Sequence, residues 1–133
     1  IRKYQNIDSV IINAGELRHE MRDREGNIEK LGKKLKQDLK AKNITVTMGR
    51  AGVQMVQKND LFNCPAFGLE TVDKVGTGDI MLSVIAPLFS VSKNYASGIL
   101  AGSMFASKSL KKFGNENVLD ASELTKFFST FLK

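Results

Sequence analysis

The chain has 133 residues, of which 42% are hydrophobic and 26% are charged. Such a length and balance are typical of a single globular domain with one core, and we expect residues 1–133 to form that domain. No apolar run approaches the roughly 18 residues of a membrane-spanning helix, and we expect no signal peptide, which favours the cytoplasm. The single cysteine excludes an internal disulfide, and the single histidine leaves too few ligands for a Cys/His zinc site. The net charge of +6 favours anionic partners without distinguishing a nucleotide from a nucleic acid or an acidic lipid surface.

The first half of the chain predicts a strand, two helices and a second strand. A β-branched run marks residues 8–12 as a buried strand, and a charged helix is expected over roughly Glu16 to Arg24. Asn27 is a good N-cap for an amphipathic helix that ends near Asn43, with apolar residues at helical spacing and lysines on the other face. Another β-branched run follows at residues 44–48. Because a strand, helices and a strand in this order form a βαβ crossover, the pattern predicts a parallel sheet covered by helices.

The next part of the chain predicts a hairpin and then a core helix. Val53 to Gln57 and Leu61 to Cys64 flank a triplet whose composition suits a turn. An extended segment over residues 65–72 then leads into a glycine-rich turn. The apolar run from Ile80 to Leu88, which contains no charge, is expected to form a buried helix.

A long helix is expected to begin at Asn94. Small residues keep one side of it thin, which would admit a neighbouring helix or a flat ligand: Gly98, Gly102, Ser103 and Ser107. We expect this helix to stop at Gly114, and the capping-box pattern that starts at Asp120 predicts a last helix.

The turn Gly76-Thr77-Gly78-Asp79 carries the clearest chemical signal in the sequence. The first backbone N–H groups of a helix lack intrahelical partners and the macrodipole adds about half a positive charge there, so such a helix end attracts phosphate. Asp79 adds a carboxylate, from which a site that only binds phosphate would gain nothing. A carboxylate beside an anion cradle instead suits the deprotonation of a hydroxyl next to a phosphoryl group. The alternative is an ordinary loop-to-helix turn in which Asp79 complements the dipole.

Two further polar loops directly follow predicted strands. These are Asn13-x-x-Glu16 and Thr47-x-Gly49, and each read alone is an ordinary turn. Because the carboxyl ends of parallel strands meet at one edge, where open α/β sheets bind ligands, we expect all three loops to share one site. The lysine-rich face of residues 30–42 lacks interleaved aromatic residues, so we interpret it as a solvated helix face and not as a nucleic-acid patch.

Three motifs resemble those of the PfkB, or ribokinase-like, carbohydrate kinases. Residues 73–79 (D-K-V-G-T-G-D) are similar to the signature D-T-x-G-A-G-D, with Lys74 and Thr77 in place of the usual threonine and alanine. Residues 13–16 (N-A-G-E) resemble N-x-x-E, and residues 47–52 (T-M-G-R-A-G) resemble T-x-G-x-x-G. Gly114-Asn115 is like the corresponding part of the heptose-kinase subgroup. The resemblance implies an α/β, three-layer ribokinase-like fold, in which a parallel sheet has helices on both faces.

The resemblance also implies an activity and a set of roles. It implies an ATP-dependent sugar kinase that uses Mg²⁺ and phosphorylates a sugar or sugar phosphate. Asp79 would be the general base, and the N–H groups of Gly76, Thr77 and Gly78 would form the anion hole. Asn13 and Glu16 would organise Mg²⁺ through water. The nucleotide contacts would come from Thr47, Gly49, Gly52, Gly102, Ser103 and Ser107.

The match covers only the C-terminal part of that kinase fold, and two other functions stay open. The chain starts at Ile1 and most sugar-binding residues have no counterpart, so we expect a piece of a longer enzyme that is inactive alone. One alternative is a module that binds a nucleotide or anion without catalysis. Another is a basic nucleic-acid binder, which would bind with a steep salt dependence. We expect no nucleic-acid or membrane partner, and a homo-oligomer is compatible with the resemblance.

Overall fold

The computed structural model describes residues 1–67, 76–91 and 94–109, and the single positions Ser122, Thr125, Lys126 and Ser129. Within these residues the elements are, in chain order, β1 (Ser9–Asn13), α1 (Ala14–Met21), α2 (Ile28–Leu39), β2 (Asn43–Thr47), β3 (Val53–Val56), β4 (Leu61–Cys64), α3 (Thr77–Val91) and α4 (Tyr95–Ser109). A short 3-10 helix, Gly49–Ala51, connects β2 to β3. The predicted stop at Gly114, the body of the last helix and Lys74 lie outside the described residues.

The four strands form one sheet in the order β1-β2-β3-β4. β1 and β2 are parallel, with Val10 opposite Ile44, as the predicted crossover requires. β3 runs antiparallel to β2, and β4 runs antiparallel to β3 as the predicted hairpin. The sheet is therefore mixed and not parallel throughout, because connections as short as Met48–Gly52 and Gln57–Asp60 can join only antiparallel strands.

Helices cover both faces of this sheet, which confirms the three-layer α/β prediction. α1 and α2 bury a stripe that includes Leu17 and Leu35 against β1 and β2. On the opposite face, α3 and α4 bury Met81, Ile85 and Ile99 against β3 and β4. Burying one such aliphatic side chain contributes roughly 1.5–3 kcal/mol, so these two cores hold the sheet and the helices together.

Helices α1 and α2 end earlier than the sequence pattern predicts. α1 stops at Met21 and not at Arg24, and α2 stops at Leu39 and not near Asn43. The cause is a left-handed residue after each helix, Arg22 with φ 54° and Lys40 with φ 51°. In α2 this turn lets the Lys40 N–H donate to Gln37 O at 3.1 Å, which closes the helix end. Glycine is the usual residue at such a position, so the sequence did not mark these stops.

The prediction that Ile80 to Leu88 is fully buried is wrong. Met81 and Ile85 are buried, but Leu82 is 43% and Leu88 is 37% exposed, and Val91 at the end of α3 is 86% exposed. Only one face of α3 packs, against α4 and the sheet, so a helix that is apolar on all sides leaves a hydrophobic face uncovered by the described residues. None of the described helices is long and apolar enough to cross a membrane.

Candidate active site at the carboxyl edge of the sheet

A cavity of about 890 Å³ opens where β1 and β2 end. Its wall brings together the three polar loops that the sequence singled out. The lining residues from these loops are Asn13, Glu16, Thr47, Gly49, Gly52, Gly76, Thr77 and Gly78. Helix α4 contributes Ser103 and Ser107 to the same wall.

Asn13 and Glu16 form a capping box at the start of α1. The Asn13 side-chain oxygen accepts from the Glu16 N–H at 2.8 Å, and Glu16 Oε2 accepts from the Asn13 N–H at 3.0 Å. These bonds satisfy two N–H groups that a helix start otherwise leaves without a partner. Glu16 Oε1 is not used in the box, and both residues are exposed. The loop is thus rigid and still presents a carboxylate oxygen at the cavity.

The loop after β2 depends on two glycines with left-handed backbone angles. Gly49 has φ 58° and Gly52 has φ 88°. A Cβ at Gly52 would lie 2.1 Å from the backbone oxygen of Cys64, a clash that backbone atoms cannot relieve cheaply, whereas a Cβ at Gly49 would meet no heavy atom within 4 Å. Gly52 is therefore required by packing, and Gly49 by its backbone angle.

Helix α3 begins at the cavity with the glycine-rich turn. Gly76 has φ 80°, and its carbonyl accepts the first helical hydrogen bond from the Ile80 N–H at 3.0 Å. The first-turn N–H groups of α3 consequently point out of the helix end at the cavity. A Cβ at Gly78 would meet nothing within 4 Å, so its glycine leaves open space for a ligand to approach the backbone.

Asp79 is exposed in the first turn of α3. It follows the cavity-lining Gly78 directly but is not itself part of the cavity wall. The carboxylate is therefore next to the N-terminal end of α3 and accessible from outside the cavity.

The thin side of α4 serves mainly to pack against α3. A Cβ at Gly102 would lie 2.8 Å from Ile85 Cγ1, and one at Gly98 would lie 2.4 Å from Phe89 Cε1. Gly102 does not line the cavity. Packing against Ile85 thus explains this glycine, and its contact with a nucleotide stays a prediction, whereas Ser103 and Ser107 are buried residues of the cavity wall.

The hydroxyls of these two serines already have protein contacts. Ser107 Oγ donates to the Met104 carbonyl at 2.9 Å. Ser103 hydrogen-bonds the buried thiol of Cys64. Burial raises the pKa of the Cys64 thiol, and the bond to Ser103 acts in the opposite direction. Cys64 is thus a buried thiol of the core beneath the cavity-lining Ser103.

Two arginines on the cavity wall were not singled out from the sequence. Arg18 lies on α1 and Arg50 lies in the short 3-10 helix after β2. The available signal was their position, two residues after Glu16 and one residue after Gly49, inside or next to two of the motifs.

Comparisons with known proteins identify relatives of this arrangement. The sequence matches the profile described as "pfkB family carbohydrate kinase" over residues 2–121. It is 29% identical over 84 residues to the bifunctional protein HldE of Helicobacter pylori (strain P12), a match that covers 61% of this chain and 18% of that protein.

Solved structures show the same fold. Ribokinase from Thermotoga maritima superposes with a TM-score of 0.82 at 25% identity, covering 94% of this chain and 43% of that chain. Phosphofructokinase-2 from Escherichia coli in complex with fructose-6-phosphate superposes with a TM-score of 0.78 at 16% identity, covering 97% of this chain and 41% of that chain. The fold is therefore ribokinase-like, and the chain spans less than half the length of these kinases.

Proposed function

The chain belongs to the PfkB family of carbohydrate kinases, and on that premise we propose that it forms the nucleotide-binding, phosphoryl-donor side of an ATP-dependent sugar kinase. The observation that carries this proposal is that the loops after β1 and β2 and the start of α3 line the same cavity. Phosphoryl transfer depends on positioning and charge stabilisation, which such an arrangement of backbone N–H groups and small residues supplies.

The start of α3 is the anion hole of the proposed site. Backbone N–H groups of Gly76, Thr77 and Gly78 would hold the γ-phosphoryl oxygens, and the positive end of the helix would offset the charge that develops on them. The open space at Gly78 supports this role, because a side chain there would occupy the room that a phosphate needs.

The nucleotide would extend from this end across the cavity. Thr47 and the loop from Gly49 to Gly52 would contact its phosphates, and the buried Ser103 and Ser107 would border its base. The two glycines of this loop, both with positive φ, support such a role, since main-chain atoms can approach a ligand closely where there is no side chain.

Asn13 and Glu16 would help to hold Mg²⁺ through water. No cluster of three His, Cys, Asp or Glu side chains occurs among the described residues, so the protein alone offers no complete metal cage there. Mg²⁺ commonly binds through one or two carboxylates, waters and substrate phosphates. Glu16 Oε1, which takes no part in the capping box, could supply such a carboxylate oxygen. Mg²⁺ would neutralise part of the phosphate charge when bound.

Asp79 would act as the general base. Its carboxylate would take the proton from a sugar hydroxyl, whose oxygen would attack the γ-phosphorus as the bond to ADP breaks. The products would be a sugar phosphate, ADP and a protonated Asp79. The exposed position of Asp79, just beyond Gly78, supports this role because an acceptor could reach it from outside the nucleotide cavity.

The test is turnover in a longer protein that joins this chain to an acceptor-binding part. A coupled assay with ATP and a panel of sugars and sugar phosphates would measure it. We predict that Asp79→Asn lowers kcat by roughly 10²–10⁴-fold, because a positioned base is lost, while ATP binding survives. Near-normal turnover of this variant would remove Asp79 from the mechanism.

A module that binds a nucleotide or anion without catalysis is the second candidate. One observation favours it: the chain spans 43% of the Thermotoga maritima ribokinase chain. The same assay separates the two functions. Activity only in the longer protein supports the kinase, and ATP binding without activity in either protein supports the module.

A further inference from the structure

Among the described residues of the cavity wall, positive side chains outnumber negative ones. These are Arg18 and Arg50, opposed within that set by the carboxylate of Glu16. Within the described part of the chain, neither arginine forms a side-chain hydrogen bond or an ion pair with another residue. An arginine stays charged at all accessible pH values, so both guanidinium groups are available to an anion.

Arg18 is the more informative of the two. Its Nε is fully buried and has no protein acceptor among the described residues. Two other buried polar atoms share that condition, Thr45 Oγ1 and Gln54 Oε1, but neither of these residues lines the cavity. A buried donor without an acceptor is costly, and most such groups in proteins are satisfied by some partner. Only the Arg18 atom, among these three, belongs to a residue that a ligand in the cavity could reach.

The position of Arg18 in α1 gives a simpler explanation of its charge but not of its burial. Arg18 lies in the last turn of α1, where a cation is stabilised by the helix dipole. That interaction works equally well for an exposed side chain, as His19 in the same turn is. It does not account for a buried Nε in a residue that lines the same cavity as Asn13 and Thr47.

We propose that Arg18, assisted by Arg50, binds the phosphate chain of the nucleotide. This inference rests on the proposed function, because it takes the ligand of the cavity to be a nucleoside polyphosphate. A planar guanidinium can donate two parallel hydrogen bonds to phosphate oxygens, which gives it direction as well as charge. The three motifs specify neither arginine: Arg18 lies outside N-x-x-E, and Arg50 occupies a variable position of T-x-G-x-x-G.

The test is a titration of the 133-residue chain with ATP, inorganic tripolyphosphate and adenosine. We predict that Arg18→Gln weakens binding of ATP and of tripolyphosphate roughly tenfold to a hundredfold, the range expected for a charge-assisted hydrogen bond. Adenosine binding should not change. Arg18→Lys keeps the charge but loses the paired donors of the guanidinium, so its affinity for ATP should lie between those of the wild type and Arg18→Gln. Arg50→Gln should weaken ATP binding less than Arg18→Gln does.

The matched control is Arg24→Gln. Arg24 is exposed, follows α1 and forms no side-chain hydrogen bond or ion pair with another described residue, so this variant makes the same charge change away from the cavity. Thermal unfolding of each variant shows whether α1 is intact. If Arg18→Gln fails to fold, the ATP affinity of Arg18→Lys still tests the inference: weaker binding than in the wild type indicates a bidentate contact, and unchanged binding contradicts it.

The outcomes separate this inference from the proposed function. Wild-type affinity of folded Arg18→Gln for ATP would overturn the inference and leave the nucleotide site standing. Equal weakening by Arg24→Gln would also overturn it, because the effect would then be one of net charge. Arg18-dependent binding of tripolyphosphate without any binding of ATP would sustain the anion contact and refute the nucleotide. If the wild-type chain binds none of ATP, tripolyphosphate and adenosine, both this inference and the proposed function are overturned.

Discussion

Gly52 and Gly78 both line the cavity, but they are glycines for different reasons. At Gly52 a Cβ would meet the Cys64 carbonyl oxygen at 2.1 Å and the backbone angle φ is 88°. At Gly78 a Cβ would meet no heavy atom within 4 Å. Gly52 thus serves the fold, whereas Gly78 leaves room for a ligand.

This difference predicts opposite effects of the same substitution. Gly52→Ala should lower the free energy of unfolding by at least about 1–3 kcal/mol, since it adds strain and a clash. Gly78→Ala should leave that free energy unchanged or raise it by up to about 1 kcal/mol, because alanine favours the helix, while weakening ATP binding. Urea unfolding and isothermal titration calorimetry measure the two quantities. Unchanged ATP affinity in Gly78→Ala would contradict the anion hole.

The charged side chains at the site show where residue-level prediction from sequence stops. The motifs identified Asn13, Glu16 and Asp79 because their spacing from glycines and strands is characteristic. Arg18 could not be found in this way, because its interest lies in a buried Nε without an acceptor, which depends on the surrounding structure. Sequence also cannot tell a glycine that faces a ligand from one that packs against a side chain, as Gly102 packs against Ile85, so the ligand contact predicted for Gly102 stays a prediction.

At the scale of elements, the start of α1 combines a structural and a proposed chemical role. Asn13 and Glu16 cap the helix through two reciprocal hydrogen bonds, and the same residues are proposed to organise Mg²⁺. Substitutions that keep one role and remove the other can separate them.

We predict that Asn13→Ala lowers the free energy of unfolding by about 0.5–2 kcal/mol, because the Glu16 N–H loses its acceptor. Glu16→Gln keeps an oxygen that can accept from the Asn13 N–H, so its stability should stay within about 0.5 kcal/mol of wild type. Its charge is lost, however, and ATP affinity should gain less from added Mg²⁺ than in the wild type. Affinity measured with and without Mg²⁺ gives the comparison. An identical Mg²⁺ dependence in Glu16→Gln would remove Glu16 from the metal site.

The strands and helices were predictable where their signals are local. β-branched runs identified the crossover, the composition of the turn identified the hairpin, and Asn27 and Asn94 marked the starts of α2 and α4. The Asn94 side chain does accept from the Ser97 N–H at 3.1 Å. The exposed face of α3 was not predictable, because an apolar helix carries no information about which of its sides another element covers. The mixed sheet follows from the short loops on either side of β3, which permit only antiparallel pairing. The βαβ pattern predicts the parallel pair β1 and β2 and says nothing about β3 and β4.

At the scale of the whole molecule, the chain presents one part of a kinase fold. It spans less than half of the solved kinases that it resembles. Among the described residues, the apolar face of α3, with Val91 86% exposed, lacks a covering element, and the outer edges of β1 and β4 have no strand paired to them. The cavity is nevertheless lined by residues from several strands, helices and loops, so ATP binding is a property that this chain can be tested for by itself.

The most direct test of the account is where ATP binds on the chain. Two-dimensional amide NMR of the labelled chain, titrated with ATP and Mg²⁺, reports this residue by residue. We predict that the shifts concentrate at residues 47–52 and 76–78, with smaller changes near Asn13 and Arg18. Shifts confined to the lysine-rich face of α2, or no shifts at millimolar ATP, would contradict a nucleotide site at the carboxyl edge of the sheet.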